Sequence, residues 1–332
     1  MKCIRASVKN HPVLSFFVLV FVIGWGGILI LVGGPGGIPA NQEQFEMLMP
    51  WVLLVWLAGP SVGGILLTGL IQGREGFRNL LTGMTKWRVG ARWYAVALLT
   101  APLLYAGVSL AFSLFSPEFL PGILATSDKA ALLLVGIGYG LIGGGLLEEL
   151  GWTGFAVPTL LGRMRYGVLA TGLVVGVLWG VFHWPVNGWA GATLPGSLSL
   201  AISLPLQLLF FTVAGLTAYR VLMVWVYERT GGSLLVAMLM HASLTASMII
   251  LPPVLTGVAY LTYNLVFTAA LWVVVGAVAM ANHGHLSRQA IRRSVAALEG
   301  TPANGDPKEA SRVRGFRKEG GLAPTHEERR SR

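Results

Sequence analysis

Long apolar runs separated by short polar segments dominate this chain. They lack both the three-to-four-residue spacing of an amphipathic surface helix and the strict alternation of a half-buried strand. After Met1–Pro12, with Lys2, Arg5 and Lys9, an apolar stretch starts at Val13. It runs for about 20 residues, enough to cross a hydrocarbon core of roughly 30 Å. It is too long for a signal-peptide core, and no small-residue cleavage pattern follows it. Seven more runs, near 49–71, 93–116, 131–161, 167–185, 198–220, 233–253 and 258–280, complete eight predicted spans. The fourth is unusually long and carries its charges inside it.

Basic residues give the spans an orientation. Arg74, Arg78, Lys86, Arg88 and Arg92 follow the second span, Arg163 and Arg165 the fourth, and Arg220 and Arg229 the sixth. The alternate connections (35–48, 117–130, 186–197, 254–257) hold a single basic residue, Lys129. The positive-inside rule then puts both termini in the cytoplasm, which an even number of spans requires. Gly73–Arg92 mixes bases with Phe77, Leu80, Leu81 and Trp87. It reads either as a helix lying in the interface or as a basic loop with incidental hydrophobes.

Composition excludes the soluble classes. The chain is 54% hydrophobic and 11% charged, with mean hydropathy +0.68, so the expected fold class is all-α, a polytopic helical membrane protein. Cys3 is the only cysteine, which removes disulfide frameworks and multi-cysteine metal sites. A pI near 10.1 does not argue for nucleic acid, because the bases lie in membrane-flanking loops and in the tail. The last 52 residues carry 11 of the 24 Lys and Arg and 6 of the 14 Asp and Glu. That tail, 281–332, has no apolar period and is predicted to be disordered and suited to touching anionic lipid. The transmembrane body is predicted over 13–280, behind a short cytoplasmic N-terminus. Glycines cluster within the spans, as at Gly143, Gly144 and Gly145, where close helix packing uses them.

Against that background the titratable residues stand out. Within the eight spans the only acids are Glu148 and Glu149, and the only histidines are His183 and His241. Inserting such groups costs about 2.5–3.5 kcal/mol each at the least, so they mark function and call for partners. A lone histidine in a span also serves simply as an interhelical hydrogen-bonding residue. Adjacent carboxylates in a dry site do not ionise together without cations or donors, and on a helix they point about 100° apart. At four-residue spacing Glu148 shares a face with Trp152, Glu149 with Thr153, Trp179 with His183, and His241 with Thr245. At about 1.5 Å per residue, Glu148 lies roughly 20 Å in from Leu161 and His183 roughly 25 Å in from Tyr166, but His241 only roughly 12 Å in from Ser233. Convergence therefore needs a broken or tilted helix, or a different start to span seven. Trp152, Trp179 and Trp184 read as packing or interface residues, and Arg220 as a cytoplasmic anchor.

Three segments resemble the motifs of the CAAX-protease and bacteriocin-processing (Abi) family of intramembrane endopeptidases. They are Glu148-Glu149-Leu150-Gly151-Trp152-Thr153, Trp179-Gly180-Val181-Phe182-His183 and His241-Ala242-Ser243-Leu244-Thr245. The family patterns are Glu-Glu-x-x-x-Arg, aromatic-x-x-x-His and His-x-x-x-Asn/Asp, and the resemblance extends over roughly residues 50–250. Thr153 stands where the motif has Arg, which removes a fixed cation, and Thr245 where it has Asn or Asp, which leaves one hydroxyl donor.

The resemblance implies hydrolysis of a peptide bond in a membrane-associated substrate, lipidated or leader-bearing, in a bacterial plasma membrane. In one family mechanism Glu148 activates water with His183 assisting, Glu149 orients, and His241 with a neighbouring donor stabilises the oxyanion. In the other, a divalent metal such as zinc sits on His183, His241 and Glu149, with the remaining glutamate as base. Trp179, Thr153 and Thr245 are supporting residues in either. Two other classes are a catalytically silent scaffold or immunity protein, favoured by the two threonines, and a proton-relaying transporter, for which no inverted repeat is seen. The expected partners are a membrane peptide and the bilayer, not nucleic acid.

Overall fold

The computed structural model describes residues 2–37, 42–163, 167–187, 202, 205–282 and 286. Nearly all of the predicted tail, and the connection from 188 to 201, lie outside these residues. Among the described residues every regular element is helical. Helix α1 (Lys2–Asn10) is a basic element that the sequence reading left as a plain terminus. Helix α2 (Pro12–Leu31) starts on a proline, whose missing N–H costs nothing in a first turn. Helix α3 (Gln42–Leu67) passes through Pro50 and Pro60, widens into a π segment over Thr68–Gln72, and turns at Gly73 (φ 64°) into α4 (Gly73–Met84). The interfacial stretch read from 73 to 92 is thus helical over its first part. Helix α5 (Ala91–Ser113) follows, then a single turn, α6 (Gly122–Ala125).

Residues 129–163 form one helical run whose pitch changes repeatedly. Its pieces are α7 (Lys129–Tyr139), a π segment (Gly140–Glu148), α8 (Glu149–Gly151), a second π segment (Trp152–Ala156) and α9 (Val157–Arg163). Asp128 caps the start by accepting from the Ala131 N–H at 2.9 Å. After α10 (Val168–Phe182), a π segment (Gln207–Gly215) continues into α11 (Leu216–Arg229). Ser233 caps α12 (Leu234–Ile250), and α13 (Gly257–Ala281) closes the bundle.

Six of these stretches are long and apolar enough to cross a membrane, and the shorter apolar helices α10 and α12 fall at the predicted fifth and seventh spans. One boundary departs clearly from expectation. The sixth span was placed at 198–220, yet α11 continues to Arg229. The cause is Arg220, which was taken for a terminal anchor but is fully buried inside the bundle.

Close backbone approach holds the centre together. Helix α10 packs on α11, α2 on α3, and α12 on both α5 and the 140–148 π segment. Gly172, Gly176 and Gly180 form a stripe on α10 against the Cα atoms of Val221, Thr217 and Val213, which is the small-residue packing that membrane bundles favour. Gly151 lies so near Pro60 that an added Cβ would sit 2.2 Å from its carbonyl oxygen. Gly151→Ala should therefore force α3 and α8 apart and cost about 1–3 kcal/mol, as overpacking does. Gly107→Ala, where an added Cβ meets nothing within 4 Å, should leave stability unchanged or raise it slightly. Thermal unfolding of both variants in detergent checks this contrast.

Candidate functional site

The two glutamates occupy the junction of the two π segments, and both are buried. Such insertions shift the register of a helix and are common at functional sites. Their four-residue neighbours serve them as the spacing predicted. The Trp152 indole N–H donates to Glu148 Oε2 at 3.1 Å, and the Thr153 hydroxyl donates to Glu149 Oε2. From α10, Trp179 Nε1 also donates to Glu148 Oε2, at 2.8 Å. Trp152 and Trp179 are thus ligands of a carboxylate, not only packing residues, while Trp184 is 47% exposed, as an interface residue should be.

Glu149 has the fuller shell. Arg220 reaches it from α11, with Nη1 donating to Oε2 at 2.9 Å and Nη2 lying 2.9 Å from Oε1 as an ion pair, and both side chains are fully buried. From α12, His241 Nδ1 lies 2.7 Å from Oε1. Glu149 Oε2 therefore accepts from Thr153 and Arg220, and Oε1 from His241 with Arg220 Nη2 beside it as an ion-pair partner. Glu148 differs, because both indoles fall on Oε2 and leave Oε1 facing His241 Nε2 across 3.9 Å.

These contacts fix the imidazole tautomers. Glu149, paired with a guanidinium, accepts, so His241 Nδ1 carries a proton and its Nε2 points at Glu148. His183 Nδ1 lies 2.8 Å from the Trp179 carbonyl, which can only accept, so here too Nε2 is the free nitrogen. The end of α10 is held from outside: Trp25 and Trp56 both donate to the Phe182 carbonyl, at 3.0 and 3.3 Å, and the Trp56 ring stands edge-on to His183 at 4.7 Å. Trp179 joins the parts, with His183 and His241 at 5.3 and 5.0 Å from its ring and the Arg220 guanidinium stacked over it at 4.0 Å.

The mismatch in depth is resolved by staggered helix ends. Leu234, the first residue of α12, sits level with Gly154 rather than Leu161, since a Cβ on Gly154 would lie 3.7 Å from the Leu234 side chain. From that common level both Glu149 and His241 are about 7–10 Å along their helices. Gly144 completes the convergence. A Cβ there would fall 2.3 Å from Thr245 Oγ1 and 3.0 Å from His241 Nε2, so both polar atoms border one small space.

Of the predicted residues, Glu148, Glu149, Thr153, Trp179 and His241 are joined by direct contacts, Thr245 lies beside His241 at Gly144, and His183 stands against the Trp179 ring. Arg220 was missed. Its signal lay in the apolar run Val221–Val226, which continues the span beyond it. In the metal set His183, His241 and Glu149, the glutamate is already paired with the Arg220 guanidinium and accepts from Thr153 and His241. Among the described residues no three His, Cys, Asp or Glu side chains are grouped to hold an ion. A cavity of about 370 Å³ at the basic-loop end, between α4 and α9, reaches down to Thr153 and includes Asn79, Thr159 and Tyr227.

Residues 129–247 match the model of a family described as type II CAAX prenyl endopeptidase Rce1-like. That match covers all three motifs and bears out the resemblance read from them. No curated protein matches the chain.

The unequal shells of the glutamates predict unequal variants. Glu149→Gln strands Arg220 in the bundle and should cost about 3–5 kcal/mol. Glu148→Gln keeps an oxygen for the two indoles and should cost about 1 kcal/mol or less. Unfolding midpoints in detergent, compared with the wild type, test the ordering, and equal losses would contradict it.

Proposed function

From the match of residues 129–247 to the type II CAAX prenyl endopeptidase model and from the site geometry, we propose that the chain hydrolyses a peptide bond in a membrane-associated substrate without a metal. The observation that carries this reading is the asymmetry of the carboxylates: Glu149 is paired with Arg220 and accepts from His241, while Glu148 keeps Oε1 open toward His241. Glu148 is the base. It takes a proton from a water as the water oxygen bonds to the scissile carbonyl carbon. His183, with Nε2 free, accepts that proton from Glu148 and delivers it to the amine nitrogen as the C–N bond breaks.

The carbonyl oxygen becomes an oxyanion and needs donors. His241 Nε2 and Thr245 Oγ1 both lie against Gly144 and are the donors assigned to the oxyanion. Two carboxylates and one guanidinium are gathered in the buried set, with His241 Nε2 facing Glu148 Oε1. The separation of 3.9 Å between those atoms suits a site that tightens on its substrate. Glu149 holds His241 and does not react. The hydroxyl of Thr245 supplies the donor that an amide would give, so the departure from the motif leaves this function in place. The basic loops favour a cytoplasmic side for both termini, and a bacterial plasma membrane suits a leader-bearing or lipidated peptide reached laterally between helices.

Peptide termini in membranes expressing the wild type, compared with Glu148→Gln at matched protein levels, test this. A set of termini present with the wild type and reduced by about 100-fold or more in the variant is expected. Termini that persist in Glu148→Gln would remove it as base, and none with either protein would favour the silent scaffold.

A further inference from the structure

Among the described residues Arg220 is the one buried Lys or Arg in contact with the site, and it arrives from a helix outside the two motifs that carry the glutamate pair and His183. Its surroundings are built to admit it. Gly176 on α10 has no side chain where one would lie 3.1 Å from Arg220 Cβ, so the arginine stem passes between α10 and α11. The guanidinium stacks on Trp179 at 4.0 Å, lies against both oxygens of Glu149, and brings Nη1 to 3.3 Å from Thr153 Oγ1. Thr153 is four residues after Glu149, the position from which the same helix could itself offer a cation to that carboxylate. A side chain longer than threonine there would run into the space the Arg220 guanidinium fills.

We propose that Arg220 is a positioning residue that supplies from α11 the countercharge the Glu149 helix lacks at Thr153, and that through Glu149 it sets the direction of His241 Nε2. The inference rests on the hydrolytic reading of the site. The chain of contacts is short: Arg220 fixes Glu149, Glu149 Oε1 accepts from His241 Nδ1, and the opposite nitrogen then faces Glu148 and the space by Gly144. Arg220 also touches Trp179, the donor to Glu148, so it braces both carboxylates. A misplacement of about 1 Å at a reacting group can cost about 100-fold in rate.

A merely structural ion pair makes a different prediction, because a buried pair can often be replaced by neutral side chains without loss of stability. The test uses three variants of the full chain in detergent or liposomes: Arg220→Thr, the neutral double variant Glu149→Gln/Arg220→Met, and the exchange Thr153→Arg/Arg220→Thr. Arg220→Thr should unfold at a lower temperature and lose about 100-fold or more in kcat. The neutral double variant should recover the unfolding temperature but not kcat, with KM little changed. The exchange should recover both, to within about tenfold of wild-type kcat.

Wild-type activity in the neutral double variant would overturn the positioning role. An exchange variant that stays as unstable as Arg220→Thr would overturn the placement of the cation. The unfolding measurements stand apart from cleavage. If the wild type cleaves nothing, the hydrolytic reading fails, and recovery or non-recovery of stability by the exchange still decides whether Arg220 and position 153 share one role.

Discussion

The buried pair of Arg220 and Glu149 is the constraint around which the centre of this bundle is arranged. A guanidinium in hydrocarbon is tolerable only with a fixed partner and further donors and acceptors around it. Glu149 answers it with both oxygens, Thr153 with a hydroxyl oxygen and Trp179 with its ring face. Those residues lie on the 129–163 run, on α10 and on α11, and His241 ties in α12 through the same carboxylate. Four helical segments are thereby registered against one charge. The glycine contacts supply the close approach this needs: Gly176 lets the arginine through, and Gly144 lets His241 and Thr245 meet beside Glu148.

Changes of helical pitch do the remaining work. In a uniform α-helix Glu148 and Glu149 would diverge by about 100° and serve different faces. Here each lies at the edge of a π segment, and His241 spans them, with Nδ1 on one and Nε2 toward the other. The widened turns also free backbone carbonyls, and the Ser61 hydroxyl from α3 donates to that of Leu147 just before the pair. A helix boundary that binding chemistry requires is in this way supported by an element far away in sequence.

Much of this was legible in the residues. Apolar runs gave the positions of the helices, because length and apolarity are what the bilayer selects. Scarcity gave the site: two acids and two histidines in otherwise apolar spans could be counted, and four-residue spacing identified their first neighbours correctly. What failed shares a cause. Arg220 was assigned by the rule that bases mark ends, and the depth of His241 by the assumption that helix ends are level. Both are statements about a helix taken alone. The partner of Arg220 lies 71 residues away, and the stagger that brings Leu234 beside Gly154 is set by packing between helices. The donation from Trp152 and Trp179 to Glu148 adds to their packing role, and an indole reads as apolar until the acceptor for its N–H is known.

The ion pair itself is not explained by stability. Removing two charges from water costs more than a well-packed apolar pair would, so a bundle needing only cohesion has cheaper solutions at these positions. What Arg220 adds is direction. It occupies Glu149, which also accepts from His241 Nδ1, so that of two adjacent, chemically identical carboxylates Glu148 is the one with an oxygen facing His241 Nε2 and no cation upon it. Assigning different tasks to two like groups requires different surroundings, and a fixed cation on one of them is the most economical difference available in a site that excludes water. On this view Thr153 is not a defect in the glutamate motif. It is the small hydroxyl that fits once the cation comes from α11.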